Sequence, residues 1–573
     1  LGEPDARMPS KGQQRYDAVI VGSGAGGGMA AWVLASRGLK VLMLEAGRHY
    51  DPKRETPMFA APRVAPLMGE GTPDKPFGFY DAAIGGWQVP GEPYSSAPGS
   101  EFMWWRSRML GGRTNHWARN SFRMGPYDFK PHSRDGLGVD WPIGYEDIAP
   151  WYDKTEAIVG VYGSNTGLEN HPDSSPGVLH DPPAPRVGEL LIQAGAADLG
   201  IPCVPARRAV LTRPIGDRNP CLYATSCGRG CAIGAAFQST TSLLPMALAT
   251  GNLTIVTDAM VYELRLDRRG KADGVNYVDK TSGAHAAAYG RVVVLAASAC
   301  ESARILLNSK STFFPDGAAN SSGQVGHNLM DTVGAGMGAQ FPVLENRPVY
   351  NEDGAMGLHL YIPFWLYKEQ ARGDLDFPRG YHYELGAEGR GQPRLGMGKI
   401  ADRVGGYGRR LKDDVRRYYG SYLHFTCRGE MIPNAGSMCE IDPEGTDRWG
   451  IPTLRFHFAW SRHELNMVAH FQKTTKALID RLGGNIEYGD VTPEEAISRG
   501  GEIIHEVGTT RMGDDPQTSV TNQYGQSWDI DNLFIADGGV FASKAHKNPT
   551  LTILALAWRN SEYLANELGR RAL

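Results

Sequence analysis

The sequence predicts an α/β fold built on buried parallel strands, and two stretches predict it. The first is Tyr16-Asp-Ala-Val-Ile-Val-Gly-Ser-Gly-Ala-Gly-Gly-Gly, followed by Lys40-Val-Leu-Met-Leu-Glu-Ala-Gly. It reads as strand, glycine-rich turn, helix and strand. The second is Arg291-Val-Val-Val-Leu-Ala-Ala, a continuous apolar run leading into a helix from Cys300 to Asn308. Such a run suits a strand buried on both faces.

Each residue type in the first stretch has a physical task. Gly22 allows the tight turn, Gly24 lets a pyrophosphate approach the backbone, and Gly27 lets helix and strand pack closely. The helix N-terminus offers its positive dipole end to the phosphates, and Glu45, closing the second strand, binds the ribose hydroxyls. The motif comes after a strand, opens a helix and has its acid at the right distance, so it marks a dinucleotide site.

Composition bounds the rest. With 573 residues, 41% apolar and 21% charged, the chain is long enough for at least two domains. A net charge of −4 gives no reason to expect nucleic acid or an anionic membrane surface. No apolar run approaches the roughly 18–20 residues of a membrane-spanning helix. The stretch Leu1 to Arg15 is polar and lacks an apolar signal core. The seven cysteines are odd in number, with three clustered, which is not a disulfide framework.

After the first βαβ unit (Asp17 to Gly47), a Pro/Gly-rich segment over 51–100 has little periodicity and is expected as a lid or partner-contact surface. Ile148–Val161 and Gly188–Leu199 read as helices, and Asn252–Leu266 alternates like strands. From Gly326 to Ile497 strands mix with helices at Gly408–Tyr419 and Ser461–Leu482. Asp531–Ala536 is a strand, and a last helix runs from near Pro549 to near Leu568. The basic run Arg409 to Arg417 has acids within it and reads as a solvated helix face.

The C-terminal part carries His505-Glu-Val-Gly-Thr-Thr-Arg-Met-Gly, Asn532-Leu-Phe-Ile-Ala-Asp-Gly-Gly-Val-Phe and Asn548-Pro-Thr-Leu-Thr-Ile-Leu-Ala-Leu-Ala. With Glu45-Ala-Gly, these segments resemble the glucose-methanol-choline (GMC) oxidoreductases, which carry FAD. The resemblance spans nearly the whole chain, in the family's order. It implies a doubly wound FAD-binding (Rossmann-like) domain from residues 1–60, 100–125, 220–325 and 500–573. It also implies a mainly antiparallel α+β substrate domain from 126–219 and 326–499.

The same resemblance implies site roles. Oxidising an alcohol needs a base for the hydroxyl proton and an acceptor for the hydride. His505 matches the family's base. Asn548, 43 positions later, matches its partner and is expected to hold the alcohol oxygen by hydrogen bond. Structural alternatives stand beside both: a buried histidine satisfying backbone groups, and an Asn548 N-cap with Pro549 as first helical residue. His546 is a weaker candidate for either role. The helix start at Pro549 would bring a positive dipole end to the reduced flavin.

In Arg108-Met-Leu-Gly-Gly-Arg-Thr-Asn-His-Trp, Gly111 and Gly112 allow close approach to the cofactor, with Asn115 in the same cofactor-binding segment. His116 stands where related pyranose oxidases attach FAD covalently through a histidine. The alternative is that His116 and Trp117 pack beside the ring. Val261 resembles the residue whose backbone meets the adenine. Asp537, with Gly538, resembles the acid at the ribityl or pyrophosphate region.

Cys221, Cys227 and Cys231 have the spacing Cys-x5-Cys-x3-Cys, and thiolates so spaced can converge on a soft metal centre. Three ligands without a fourth suit a 3Fe–4S cluster. The spacing resembles that of iron–sulfur GMC dehydrogenases, including FAD glucose dehydrogenases and glucoside 3-dehydrogenases, although Ala232 stands where those loops commonly have proline. Zinc, a disulfide and plain buried thiols remain the alternatives.

Three more segments strengthen the glycoside dehydrogenase comparison: Gly136–Ile143 with Asp147–Asp153, Gln238–Pro245, and Arg379-Gly-Tyr. Tyr361, Trp365, Tyr381, His382, Tyr383 and His424 suit a sugar ring or an ordinary core equally. The expected reaction is oxidation of a secondary hydroxyl of a sugar or glycoside, at C3 of a glucoside for example, to a ketone. The implied partners are a cytochrome c electron acceptor and a small chaperone-like subunit. The implied compartment is the periplasm, reached on a partner's signal, with the cytoplasm as alternative. The rivals are an oxygen-using oxidase that makes peroxide without a cluster, and a GMC-type lyase.

Overall fold

The computed structural model describes residues 14–56, 82–222, 227–347, 358–385 and 397–570. Its larger sheet has a parallel core in the order Leu253–Val256, Val41–Leu44, Arg15–Val21, His285–Leu295 and Leu533–Ile535. The first half of His285–Leu295 continues instead into an antiparallel meander with Ala272–Asp279 and Ala259–Leu266. The parallel strands end in register. Val21 lies opposite Leu44 and Leu295, Leu44 opposite Val256, and Leu295 opposite Ile535. The loops leaving these strands therefore emerge along one edge, the place where open α/β sheets bind ligands.

The glycines of the first turn are required by their neighbours. Gly22 has φ +96°, and a Cβ there would sit 2.4 Å from Ala296 O. At Gly27 it would meet Gly22 O at 2.0 Å, so helix Ala25–Ser36 lies too close to the strand for any side chain. Helix Thr550–Gly569 packs on the same face, with Trp558 edge-on to Trp32 at 4.8 Å.

The smaller sheet is antiparallel, in the order Asn485–Tyr488, Val333–Gln340, Tyr422–Gly429, Tyr381–Leu385, Leu360–Ile362 and Val204–Pro205. Alternation divides its two faces. Tyr381, Tyr383, Phe425 and Cys427 join Met467, Phe471 and Ile479 of helix Arg462–Arg481 in one apolar cluster. His382, Glu384, His424, Thr426 and Arg428 take the opposite face. That helix starts where its sequence says it should: the Ser461 hydroxyl accepts from His463 N, and Glu464 reaches back to Ser461 N at 2.6 Å.

The helices expected at 188–199, 300–308, 408–419 and 461–482 all form within two residues. The one expected from Ile148 starts earlier, at Tyr145, because Asp147 accepts the Gly144 N–H at 2.8 Å. Of the Pro/Gly-rich segment over 51–100, residues 57–81 lie outside the described residues. The rest is anchored by Glu92, buried and paired with Arg108 and Lys280. No helix among the described residues is long and apolar enough to cross a membrane.

Candidate active site

A cavity of about 990 Å³ lies between the ends of the parallel strands and the polar face of the smaller sheet. Of the residues assigned to cofactor binding, Gly22, Gly24, Glu45, Gly112, His116, Val261, Asp537, Gly538 and Pro549 line it. A Cβ on Gly24 would meet nothing within 4 Å, so the backbone there is open to a ligand. Both Ala25–Ser36 and Thr550–Gly569 direct their N-termini at the cavity, and neither has an acidic residue in its first turn. Two positive helix ends are thus left for an anionic ligand.

Two buried carboxyls flank these turns. Glu45 accepts Ser23 N at 3.0 Å and Gly47 N at 2.7 Å. Burial raises its pKa against these bonds. Asp537 accepts Gly539 N at 2.8 Å and the Ser302 hydroxyl, and burial pushes it up to about 6. Ser298, beside it on the cavity wall, holds φ +86°, and Ile504, directly before His505, holds φ +64°. Non-glycine residues in this region store strain, which clusters at functional sites. Neither residue carries a signal in the sequence.

Gly27, Gly111 and Asn115 do not line the cavity, and the Asn115 side chain is engaged by protein groups. It is fully buried. Its amide donates to Leu110 O and Gly112 O, and its oxygen accepts from Gln238 and Thr240. The hydrogen-bonding capacity of the side-chain amide is thereby used within the protein. Gly111 (φ +86°) donates its N–H to the Ser23 hydroxyl at 2.8 Å, tying this loop to the first turn. His116 does line the cavity, with Nε2 2.7 Å from the Ser107 hydroxyl oxygen and its ring edge-on to Trp105.

At the other end stand His505 and Asn548. His505 Nδ1 lies 3.0 Å from Thr332 Oγ1, and the His505 backbone N–H donates to Asp331 at 3.0 Å. Burial pushes the His505 imidazole well below its ordinary range, with Lys544 and Arg428 adding to the effect and Glu384 opposing it. It is therefore neutral at pH 7, as a base must be. Asp331, behind it, is pushed up to about 7 by burial and by Glu506, and Lys544 is brought down to about 8 by burial.

Asn548 is not an N-cap. The helix begins at Thr550, and the Asn548 amide nitrogen donates instead to Glu384 Oε1 at 3.1 Å. Its oxygen is buried and has no hydrogen-bond partner among the described residues. Burial alone would raise the Glu384 pKa, but Arg428 at 3.3 Å, His382 and Asn548 hold the carboxyl well below the usual range. Of the six residues Tyr361, Trp365, Tyr381, His382, Tyr383 and His424, His424 lines the cavity and the other five do not. Tyr381 and Tyr383 lie on the apolar side in the core and Trp365 packs against it, whereas buried Tyr361 and His382 share the face of Glu384, Tyr361 opposite it in register and His382 with Nε2 3.7 Å from its Oε1. The strand Val333–Gln340 adds Gly334, Gly336 and Gly338 on the polar face, where Gly336 leaves room for the His424 ring. Sequence reasoning misses Glu384, Arg428 and this glycine alternation, although the period-two pattern is there to be read.

Cys227 and Cys231 are buried in one small apolar cluster with Tyr162, Val210, Ala235 and Ala236, against which Cys221 packs. None of the cysteines is in a disulfide. Gly228, directly after Cys227, lines the cavity. Arg119, fully buried, donates to Cys227 O at 2.9 Å and to Asn115 O at 2.9 Å, so one guanidinium joins the cysteine loop to the cofactor loop. Cys231 Sγ accepts Ala236 N–H at 3.4 Å. Among the described residues no group of three His, Cys, Asp or Glu side chains is arranged to hold a metal ion. The donor chemistry of the three thiols suits a thiolate-bound cluster.

A Gly-rich turn at strand ends, facing a histidine beside a separate antiparallel sheet, defines a flavin-dependent oxidoreductase of two-domain type. The chain belongs to the GMC oxidoreductase family, matching its N-terminal part over residues 16–333 and its C-terminal part over 435–557. FAD is the cofactor this family and fold imply. The chain is 31% identical over 560 residues to 2-methyl-1,2-propanediol dehydrogenase of Mycolicibacterium austroafricanum, covering 96% of each chain. It is 27% identical over 570 residues to the fructose dehydrogenase large subunit of Gluconobacter japonicus, covering 96% of this chain and 98% of the relative. Pyridoxine 4-oxidase from Mesorbium loti shares the fold, with TM-score 0.62 at 18% identity, covering 96% and 99% of the two chains.

Proposed function

We propose that this enzyme oxidises a secondary hydroxyl of a sugar or glycoside, at C3 of a glucoside for example, to a ketone. The observation that supports it is the presence of His505 and Asn548 on one wall of a cavity whose other wall is the dinucleotide turn. FAD, when bound, supplies the hydride acceptor. Gly22, Gly24, Glu45 and Asp537 form the half that would hold it. With Nδ1 near Thr332, His505 has Nε2 left to take the hydroxyl proton, and burial keeps it neutral for that purpose. His116 packs beside the cofactor, its Nε2 occupied by Ser107; covalent attachment is the alternative that acid precipitation distinguishes.

The relatives named as dehydrogenases support electron export in place of peroxide formation, and the one named as a large subunit supports partner subunits. In this reading Cys221, Cys227 and Cys231 would hold a 3Fe–4S cluster that supplies a one-electron exit. A cytochrome c would accept the electrons, a small chaperone-like subunit would assist assembly, and the periplasm would be the compartment. This part rests on donor chemistry and on the nearness of Gly228 to the cavity. Anaerobic mixing with sugars and glycosides, with iron and acid-labile sulfide measured per FAD, tests both parts. Bleaching of the flavin and about three irons per flavin support the dehydrogenase. Bleaching without iron, and with peroxide in air, makes it an oxidase; no bleaching with any sugar removes the reading.

A further inference from the structure

Residues 503–506 all line the cavity. An extended chain sends successive side chains to opposite faces, so four consecutive residues on one wall require a bend. The bend is at Ile504, whose φ of +64° is a rare conformation for a β-branched residue. Such a conformation persists only where its surroundings hold it. The Ile504 N–H donates to Gly501 O at 3.0 Å, and Arg113 Nη1 donates to the Ile504 carbonyl at 3.2 Å.

The rest of the hold comes from Met330-Asp331-Thr332. Met330 and Val507 pair as antiparallel neighbours, each accepting the other's N–H at 3.0 Å. Continuing that register sets Thr332 opposite His505, and Thr332 Oγ1 lies 3.0 Å from the His505 Nδ1. Asp331, between them, is fully buried. Its two oxygens divide their work: Oδ1 accepts the His505 N–H at 3.0 Å, and Oδ2 accepts the Ile503 N–H at 3.3 Å. One carboxylate thus bridges the two amides that flank the bent residue. That bridge needs two acceptor oxygens, which aspartate has and asparagine does not.

We propose that Asp331 is a positioning residue for the base: its carboxylate clamps the amides of Ile503 and His505, holds the left-handed bend at Ile504, and so aims the His505 imidazole at the substrate hydroxyl. This rests on His505 being the base. Asp331 does not line the cavity, so it acts through His505 alone. Thr332 holds the ring and Asp331 holds the backbone that carries it. Loosening the second displaces the base without removing it, and a misplacement of about 1 Å can cost about 100-fold in rate.

The test follows anaerobic bleaching of the FAD-loaded enzyme at about pH 8.5, above the value of about 7 to which burial raises Asp331. D-glucose, D-fructose and methyl β-D-glucoside are tried as reductants, and the fastest is kept. Asp331→Asn is expected to lower the limiting rate by about 10- to 100-fold, with half-saturation changed by less than about threefold. Glycine adopts a positive φ without steric cost, so in the Ile504→Gly background the same substitution should cost no more than about threefold. No loss in Asp331→Asn, or equal losses in the two backgrounds, overturns the proposal. His505→Ala separates the two ideas. If it bleaches about as fast as wild type, the base assignment fails; if it is slow while Asp331→Asn is fast, the clamp alone fails. A crystal structure of the wild-type holoenzyme gives a reading independent of turnover and of any variant. Both carboxylate oxygens on the amides of residues 503 and 505, with Ile504 at positive φ, uphold the clamp; a carboxylate turned elsewhere, or Ile504 at negative φ, overturns it. An enzyme bleached by none of the three sugars overturns the functional reading instead, and the crystal structure still decides the clamp.

Discussion

Arg113 and Glu506 form a two-pronged ion pair across the cavity wall, with Nη2 3.1 Å from Oε1 and Nη1 on Oε2. Arg113 belongs to the cofactor loop and Glu506 is the residue after the proposed base, so one pair ties the cofactor half to the catalytic segment. Arg113 also donates to Ile504 O at 3.2 Å, the strained residue preceding His505.

Removing Arg113 leaves Glu506 buried and unpaired. Arg113→Ala is expected to destabilise the holoenzyme by about 3–5 kcal/mol. Denaturant unfolding monitored by flavin fluorescence and by far-UV circular dichroism measures this directly.

His505→Ala should slow anaerobic flavin reduction by about 100- to 10,000-fold while FAD stays bound. Stopped-flow bleaching with saturating substrate reads the loss, and absorbance at equal protein concentration reads FAD content. A rate within a few-fold of wild type would remove His505 as the base.

Acidification should unfold the protein earlier than its carboxylates alone require. Burial holds His171, His382, His505 and His546 below their ordinary range. Below pH about 6.5 the unfolded chain takes up protons that the folded chain refuses, so stability falls as pH falls from there toward the folded-state values. Each histidine contributes up to about 1.4 kcal/mol per pH unit over that window. Thermal unfolding from pH 8 to pH 4.5 checks the slope, and His171→Phe should flatten it.

FAD should be released into the supernatant by acid precipitation, since Ser107 occupies His116 Nε2. Yellow colour kept in the pellet of wild type and lost in His116→Ala would establish the covalent bond instead.

Much of the cofactor half is legible in the sequence because its chemistry is local. Gly22, Gly24, Gly27 and Glu45 fall within one βαβ unit, where the order of strand, turn and helix already assigns each its task. The His505 and Asn548 segments are legible through family resemblance. Glu384 and Arg428 are not, because their meaning depends on pairing between strands: Glu384 lies opposite Thr426, and Arg428 opposite His382. Each looks like an ordinary charge until the register is known. Asn115 shows how much a local motif leaves unsaid. It sits in a cofactor segment, yet its four side-chain hydrogen bonds all go to protein groups.

The run Val333-Gly-Ala-Gly-Met-Gly-Ala-Gln supplies bare backbone wherever it faces the polar side of the smaller sheet. That gives this chain a position where the width of the site can change without altering how it reacts. A methyl group added at Gly336, the one of these three glycines that lines the cavity, pushes on the His424 ring and leaves His505 and Asn548 on other parts of the chain. The width of the site and the chemistry of the site are therefore encoded on separate segments, and selection can revise the first while holding the second constant.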